Sequence, residues 1–291
     1  MNRSLLDHVR RHADAHADRF GAAITPVAGL TAVRVMYPGE LQVAVNKPLV
    51  AMLLQGRKRV TMGADSFDFG PGEALLISAD VPTVSQIIEA SPAAPYYSLV
   101  LELDPAMLRE LSVAAPHLPD PAPIRVEPTD PDVAEAALRL MRLLDRPEAL
   151  PVLRDGLLRE MHYWLLNGRH GAAIRRLGVT DSHAGRIARA VEAIRQDYQR
   201  PIRVEHLAVL AGMSESSFHQ HFRSITTLSP LQFQKQLRLI EARRRMLAEG
   251  AGIATAAHAV GYESVPQFTR EYRRLFGAPP GQDMRQAQVG G

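Results

Sequence analysis

The stretch Leu207-Ala208-Val209-Leu210-Ala211-Gly212-Met213-Ser214 decides how the last third of this chain folds. An apolar run ends at Gly212, where the missing Cβ permits the positive φ of a tight turn. Ser214 then offers a hydroxyl to cap a second helix. Ala208, four residues before the glycine, is small enough for the two helices to cross closely. Phe218 and Phe222, at i and i+4, bury one face of the second helix. Ser216, His219, Gln220 and Arg223 remain on the opposite face, polar and within reach of base edges or phosphates.

The same plan returns 49 residues later. Ala257 precedes Gly261 by four, Ser264 is the cap, and Phe268 with Tyr272 forms the buried i,i+4 pair. The outward face carries Pro266, Gln267, Thr269, Arg270 and Arg273, and the turn is one residue longer. One glycine turn with an aromatic stripe occurs in any α-hairpin. Two copies with matching spacing, joined by one long helix from Pro230 to Ala248, point instead to paired helix-turn-helix units. Gly250 and Gly252 stop the joining helix and the next begins at Ile253. The run Arg243-Arg244-Arg245 reads as a solvated charged face.

Outward from this region, charge is uneven. From Asp181 onward there are 15 Lys+Arg against 10 Asp+Glu, and before it 19 against 21, within a total net charge of +3. A basic end behind a slightly acidic front suits a nucleic-acid-binding module carried by a domain that does not bind DNA. The 291 residues suffice for two domains. With no cysteine, the chain has no disulfides, thiolate metal ligands or cysteine nucleophiles. No apolar run reaches the roughly 18 residues of a membrane span, and the N-terminus lacks a signal-peptide core. A cytoplasmic protein without membrane contact is the expectation.

The front reads as residues 1–167, a linker 168–183, and the helical domain 184–291. Residues 1 to about 20 form an amphipathic helix with Leu5, Leu6, Val9 and Phe20 apolar. From about 30 to 104 short apolar runs alternate with turns at Pro38-Gly39, Gly63-Ala64-Asp65 and Gly70-Pro71-Gly72, the texture of a small barrel or sandwich. Helical stripes follow: Val133, Ala137, Leu140, Met141 and Leu144, then Leu153, Leu157, Met161, Trp164 and Leu165.

Taken together, Gly212-Met213-Ser214, Phe218-His219-Gln220-His221-Phe222-Arg223, Ser229-Pro230, Gly261-Tyr262-Glu263-Ser264 and Phe276-Gly277-Ala278-Pro279-Pro280 resemble the double helix-turn-helix domain of the AraC/XylS family. Leu54-Gln55-Gly56-Arg57-Lys58 and Phe69-Gly70-Pro71-Gly72 resemble its subgroup with a dedicated N-terminal domain. The resemblance implies an α+β chain: a cupin-like β-barrel with flanking helices, then an all-α domain with two helix-turn-helix motifs. It implies a sequence-specific transcription regulator, an activator rather than an enzyme, that binds double-stranded DNA as a homodimer, answers a small effector and works with RNA polymerase. The joining helix, about 19 residues and roughly 28 Å long, would set both recognition helices into successive major grooves about 34 Å apart. Gln267 would pair with adenine, Arg270 with guanine, and Thr269 with a thymine methyl. Arg203, Arg223, Lys235 and Arg273 would grip phosphates. Gln220 stands where relatives often carry a basic residue.

The front shows no catalytic set. Relatives use this region for effector binding and dimerisation, but no histidine lies between Ala17 and Pro116, and Glu73, Glu89 and Glu102 alone would hold a transition metal poorly. A metalloenzyme barrel is therefore rejected, and no cofactor is expected. His8, His12 and His16, spaced at i, i+4 and i+8, read as an exposed polar stripe rather than a metal site. Val33, Val35, Leu53, Met62, Phe67, Leu75 and Ile77 alternate onto one side and form the candidate apolar effector site. Trp164 and the Leu153–Leu165 stripe read first as core, and Leu153, Leu157, Met161 and Trp164 are equally the candidate dimer contact. The alternative is a ligand-independent DNA binder whose barrel only dimerises.

Overall fold

A computed structural model describes residues 3–39, 42–62, 65–111, 123–177 and 183–289. The expected turn residues Gly63 and Ala64 and part of the expected linker lie outside them. The chain divides into two compact units: the first takes in Met1–Gln42, Asn46–Ala79 and Val84–Gly185, the second Arg186 onward together with the short stretches Val43–Val45 and Asp80–Thr83.

The first unit opens with α1 (Arg3–His16) and continues into β1 (Ala22–Ile24), β2 (Leu30–Val35), β3 (Gln42–Asn46), β4 (Leu49–Gln55), β5 (Arg57–Met62), β6 (Asp65–Phe69), β7 (Glu73–Ile77), β8 (Val81–Glu89) and β9 (Tyr96–Glu102). Then come α2 (Pro105–Leu111), β10 (Ile124–Pro128), α3 (Pro131–Leu143), α4 (Leu150–Asn167) and α5 (Gly171–Leu177). One sheet has the order β1-β2-β9-β4-β7-β10 and the other β3-β8-β5-β6. Strand β4 is buried on both faces along Val50–Leu54, as befits a strand covered from two sides.

Alternation divides the larger sheet. Ala32, Val50, Met52, Leu54, Ala74, Leu76, Leu99 and Leu101 share a core with Leu5, Leu6 and Val9 of α1, Val133, Ala137 and Leu140 of α3, and Met161 and Leu165 of α4. Ala51, Leu53, Leu75, Ile77, Tyr96 and Ser98, on the opposite face, are buried as well. The second sheet buries Val60, Met62, Phe69 and Ile87. These two inner faces make the interior of the barrel. Between β4 and β5 the chain passes from one sheet to the other at Gly56 (φ +85°). There a Cβ would lie 2.6 Å from the Glu89 carbonyl oxygen and 3.1 Å from the Tyr96 Cα.

Several expectations need correction. Phe20 lies beyond the end of α1 and is half-exposed. The stretch 168–183 is not plain linker, because α5 lies in it and buries Ala173 and Ile174 in the first unit's core. Helix α2 and strands β1 and β10 are short elements whose few apolar residues carry no readable period.

The second unit is all-helical: α6 (His183–Gln196), α7 (Val204–Ala211), α8 (Glu215–Thr226), α9 (Pro230–Glu249), α10 (Ile253–Ala259), α11 (Val265–Phe276) and α12 (Pro280–Val289). It has two cores. One gathers Ile187, Val191, Ile194, Leu207, Ala208, Phe218 and Phe222 around Phe233 of α9. The other gathers Ala256, Ala257, Val260, Phe268 and Tyr272 around Leu239, Ala242 and Met246 of the same helix. A 20-residue α9, about 30 Å long, thus belongs to both cores.

Candidate nucleic-acid interface

Each pair of short helices is built by local chemistry. Helix α7 ends at Gly212 in the left-handed region (φ 62°), and the Ser214 side chain accepts from the Ser217 amide to start α8. At the second pair Ser264 accepts from the Gln267 amide to start α11. Gly261 has φ +90°, and a Cβ there would fall 2.0 Å from the Gln199 carbonyl oxygen. Ser229 and Gln232 form a reciprocal capping box at the start of α9, satisfying two amides that would otherwise lack partners. Ala208 and Ala257 are buried where the helices cross.

The buried pairs Phe218/Phe222 and Phe268/Tyr272 orient α8 and α11. Opposite them, Ser216, His219, Gln220 and Arg223 are all exposed on α8. On α11 Pro266, Gln267, Arg270 and Arg273 are exposed and Thr269 is partly so. Two polar faces are thus presented from cores strung on one helix.

Partly buried polar ties that the residue pattern does not announce hold this frame. Arg238 of α9 donates to the carbonyl oxygens of Tyr198 (2.6 Å), Gln199 (2.9 Å) and Gly261 (3.0 Å). Gln234, one turn earlier, donates to those of Tyr198 (2.9 Å) and Arg200 (2.5 Å). The segment before α7 and the turn before α11 are therefore fastened to the same helix. The only sequence signal is a Gln and an Arg four apart beside Phe233 and Leu237.

The arginine run is not a uniformly solvated face. Arg243 forms a two-pronged pair with Asp283 of α12 (2.8 and 3.0 Å), and its guanidinium lies 5.3 Å from the Phe276 ring centre. Tyr272 donates to the same carboxylate at 2.5 Å. Burial pushes the Asp283 carboxyl upward, but Arg243 and Tyr272 outweigh it and hold it below its ordinary range. Arg244 pairs with Glu241 and Glu249, and Arg245 with Glu241. Lys235, read as a phosphate contact, is paired with Glu271 at 3.0 Å.

In the first unit, Val33, Val35, Leu53, Leu75 and Ile77 lie on the inner face of the larger sheet. Met62 and Phe67 lie on that of the smaller one, with Phe67 opposite Val60. Of the helical candidates, Met161 is fully buried in its own core, and Leu157 and Trp164 are packed against it. Met161 is therefore a core residue, not a contact. The apolar residues that α4 leaves exposed are Val152 (79%), Leu153 (50%) and Tyr163 (46%). His8 and His16 direct Nδ1 to the carbonyl oxygens of Ser4 and His12 in their own helix, whereas His12 directs Nε2 to the Ile24 carbonyl oxygen of β1. The first unit also has an open cavity of about 510 Å³ on the helix-covered side of β4, beside Leu5, Met52, Thr129, Asp132 and Glu135. Among the described residues no helix is long and apolar enough to cross a membrane.

Two capped helix-turn-helix units on a shared helix, behind a β-sheet domain with helices, define a helix-turn-helix regulator. Residues 26–173 match the family model described as the AraC-type transcriptional regulator N-terminus, and residues 207–286 match a helix-turn-helix domain. The chain belongs to the AraC family of transcriptional regulators. It is 32% identical over 112 residues to the HTH-type transcriptional regulator GbdR of Pseudomonas aeruginosa, a match covering 38% of this chain and 29% of that one. It is 38% identical over 79 residues to the RCS-specific HTH-type transcriptional activator RclR of Escherichia coli, covering 27% of this chain and 28% of the relative. The matched region thus spans under a third of those curated relatives. A solved structure of ToxT from Vibrio cholerae shares the fold, with TM-score 0.59 and 11% identity, over 88% of this chain and 98% of that one.

Proposed function

We propose that this protein is a sequence-specific, DNA-binding activator of transcription that inserts α8 and α11 into successive major grooves. The observation carrying this reading is the pair of exposed polar faces backed by cores on one 20-residue helix. Gln267, Thr269 and Arg270 read bases, with Pro266 beside them, while Arg223 and Arg273 hold phosphates. Ser216, His219 and Gln220 offer α8's contacts. Because Lys235 is engaged with Glu271, the phosphate grip is assigned to the remaining arginines. Activation through RNA polymerase follows from the family resemblance.

The barrel interior, walled by Val33, Val35, Leu53, Met62, Phe67, Leu75 and Ile77, is the proposed effector site. Dimerisation is assigned to the exposed face of α4 at Val152, Leu153 and Tyr163, with Leu157 and Trp164 behind it. A coupling of about 1–3 kcal/mol between the two functions would change DNA affinity about 5–150-fold.

Capture of genomic DNA fragments by the purified full-length protein, followed by sequencing, tests the reading. The expected result is an enriched motif with two blocks about 10 base pairs apart, centre to centre. Capture with no sequence enrichment, or with a single block, would overturn it.

A further inference from the structure

Within the second unit a cleft of about 350 Å³ lies between α9 and α11, with Leu228, from the loop that follows α8, at its edge. Leu239 and Leu275, which pack in the core around Phe268 and Tyr272, supply its apolar part. Its polar wall runs along α9 through Gln232, Lys235 and Gln236, and α11 adds Glu271 and Arg274. Arg274 lies one turn beyond Arg270 on α11 and is exposed. Residues four apart on a helix share a side, so Arg274 borders both the cleft and the face that carries Arg270.

The charge in this cleft is unbalanced. Its one carboxylate, Glu271, already accepts from Lys235, Gln267 and Tyr262. Lys235 and Glu271 therefore offset each other, and Arg274 has no ion-pair partner among the described residues. Gln232 uses its side-chain oxygen to accept from the Ser229 amide, which leaves its NH2 group to donate. Gln236 is half-buried in the wall with no hydrogen bond to its side chain among the described residues. The cleft thus presents one uncompensated guanidinium flanked by two amide donors, a set that suits phosphate oxygens.

We propose that this cleft seats the phosphodiester backbone of the DNA strand that passes between the two major grooves. Arg274 is its charged anchor, and Gln232 and Gln236 donate to neighbouring phosphate oxygens. This rests on the reading of α8 and α11 as the helices that enter the grooves. A strand running from one groove to the next must cross the surface between those helices, and the cleft lies there, bounded by α11 and by the loop after α8. From Gln232 to Leu239 it follows α9 for two turns, about 10 Å. Phosphates of one strand succeed each other about every 3.4 Å along the duplex axis, so two or three of them fit. The leucines suit the apolar faces of the sugars between those phosphates, a length that a lone inorganic anion would leave uncovered.

The test uses the full-length protein and duplexes carrying its captured motif, each with one uncharged methylphosphonate between the two blocks. Neutralising two or three adjacent phosphates there, one at a time, is expected to weaken wild-type binding about fivefold at each position. Arg274→Ala should weaken specific and random duplexes alike, about fivefold near 0.15 M salt, and lower the salt slope by about 0.9. It should also be indifferent to the methylphosphonate at the anchored position, whereas Arg274→Lys should keep the slope. A wild type indifferent to every neutral phosphate between the blocks would overturn the seat while leaving the two-groove reading in place. So would an Arg274→Ala protein as sensitive as the wild type, or one that loses only specific binding with its slope unchanged. Absence of a two-block motif would overturn both the seat and that reading. The methylphosphonate series on the wild type decides the matter even if a variant proves less stable.

Discussion

The side-chain amide of Gln267 donates to the carboxylate of Glu271 at 3.2 Å, one helical turn further along α11. Glu271 also accepts from Lys235 of α9 (3.0 Å) and from the Tyr262 hydroxyl (2.7 Å). Burial raises its carboxyl, but these three donors more than compensate and leave it below the ordinary range. A residue proposed to read a base is therefore pre-oriented by a carboxylate tied to the joining helix and to the preceding turn. Glu271→Ala should relax preference at the base pair read by Gln267, costing about 1–3 kcal/mol at the specific site. Its salt dependence should not become shallower, because Lys235 is released rather than removed. Competition binding against single-base variants checks this, and undiminished preference would remove Glu271 from the reading.

Reading and positioning separate in a second pair of variants. Arg270→Ala should cost about 1–3 kcal/mol on the specific site and loosen one base pair. Arg223→Ala should weaken all sequences alike and lower the salt slope by about one unit. Titrations of specific and random duplexes at several salt concentrations distinguish them. Equal losses on both duplexes for both variants would show that the faces have been misassigned.

The Arg243–Asp283–Tyr272 cluster predicts an acid-sensitive second unit. Asp283→Ala removes the buried carboxylate that accepts from both Arg243 and Tyr272 and should cost about 3–5 kcal/mol. Asp283's folded-state value is lowered, so its stabilisation is complete above the ordinary carboxylate range near pH 4. It is lost as pH falls through the lower folded value. Urea midpoints measured from pH 2 to 7 should show this dependence in the wild type and a flatter profile in Asp283→Asn.

On α4 the two kinds of apolar residue should behave oppositely. Leu153→Glu places a charge on an exposed site and should separate a dimer without unfolding the protomer. Met161→Ala empties part of a core and should cost about 2–5 kcal/mol whatever the oligomeric state. Sedimentation combined with denaturation provides the readout. A folded Leu153→Glu protein that remains dimeric would move the interface off this face.

Lys58 carries a pH signature of its own. Its folded-state value, about 8, lies below the ordinary 10.5, so the folded protein releases this proton first as pH rises. The destabilisation is complete below about pH 8 and vanishes by about 10.5. Lys58→Met should therefore raise the melting temperature most at neutral pH, with the difference shrinking between pH 8 and 10.5. A difference independent of pH would show that the gain comes from packing.

The helical half was legible because its signals are short-range. A glycine in the left-handed region, a serine cap and an i,i+4 aromatic pair each involve residues within about eight positions, so Gly212, Ser214, Phe218 and Phe222 predict their own geometry. Strand alternation likewise sorted Leu53, Leu75 and Ile77 onto one face, since side chains point to opposite sides with period two.

What could not be read depends on partners distant in the chain. The α4 stripe is apolar whether it meets its own sheet or a second subunit, and only the packing of Met161 against its own core separates the two. Arg243 looks like its neighbours until Asp283, 40 residues later, is folded against it. Lys58 in a strand that opens Arg-Lys-Arg reads as one more surface charge. Its inward face is set by the register with Phe69 and Ile87. Local backbone chemistry thus specified the turns, caps and helix faces, because dihedral preference and capping act within a turn or two. Burial and pairing of charge were left to the tertiary contacts, because desolvation depends on everything that surrounds a side chain, however far away in sequence.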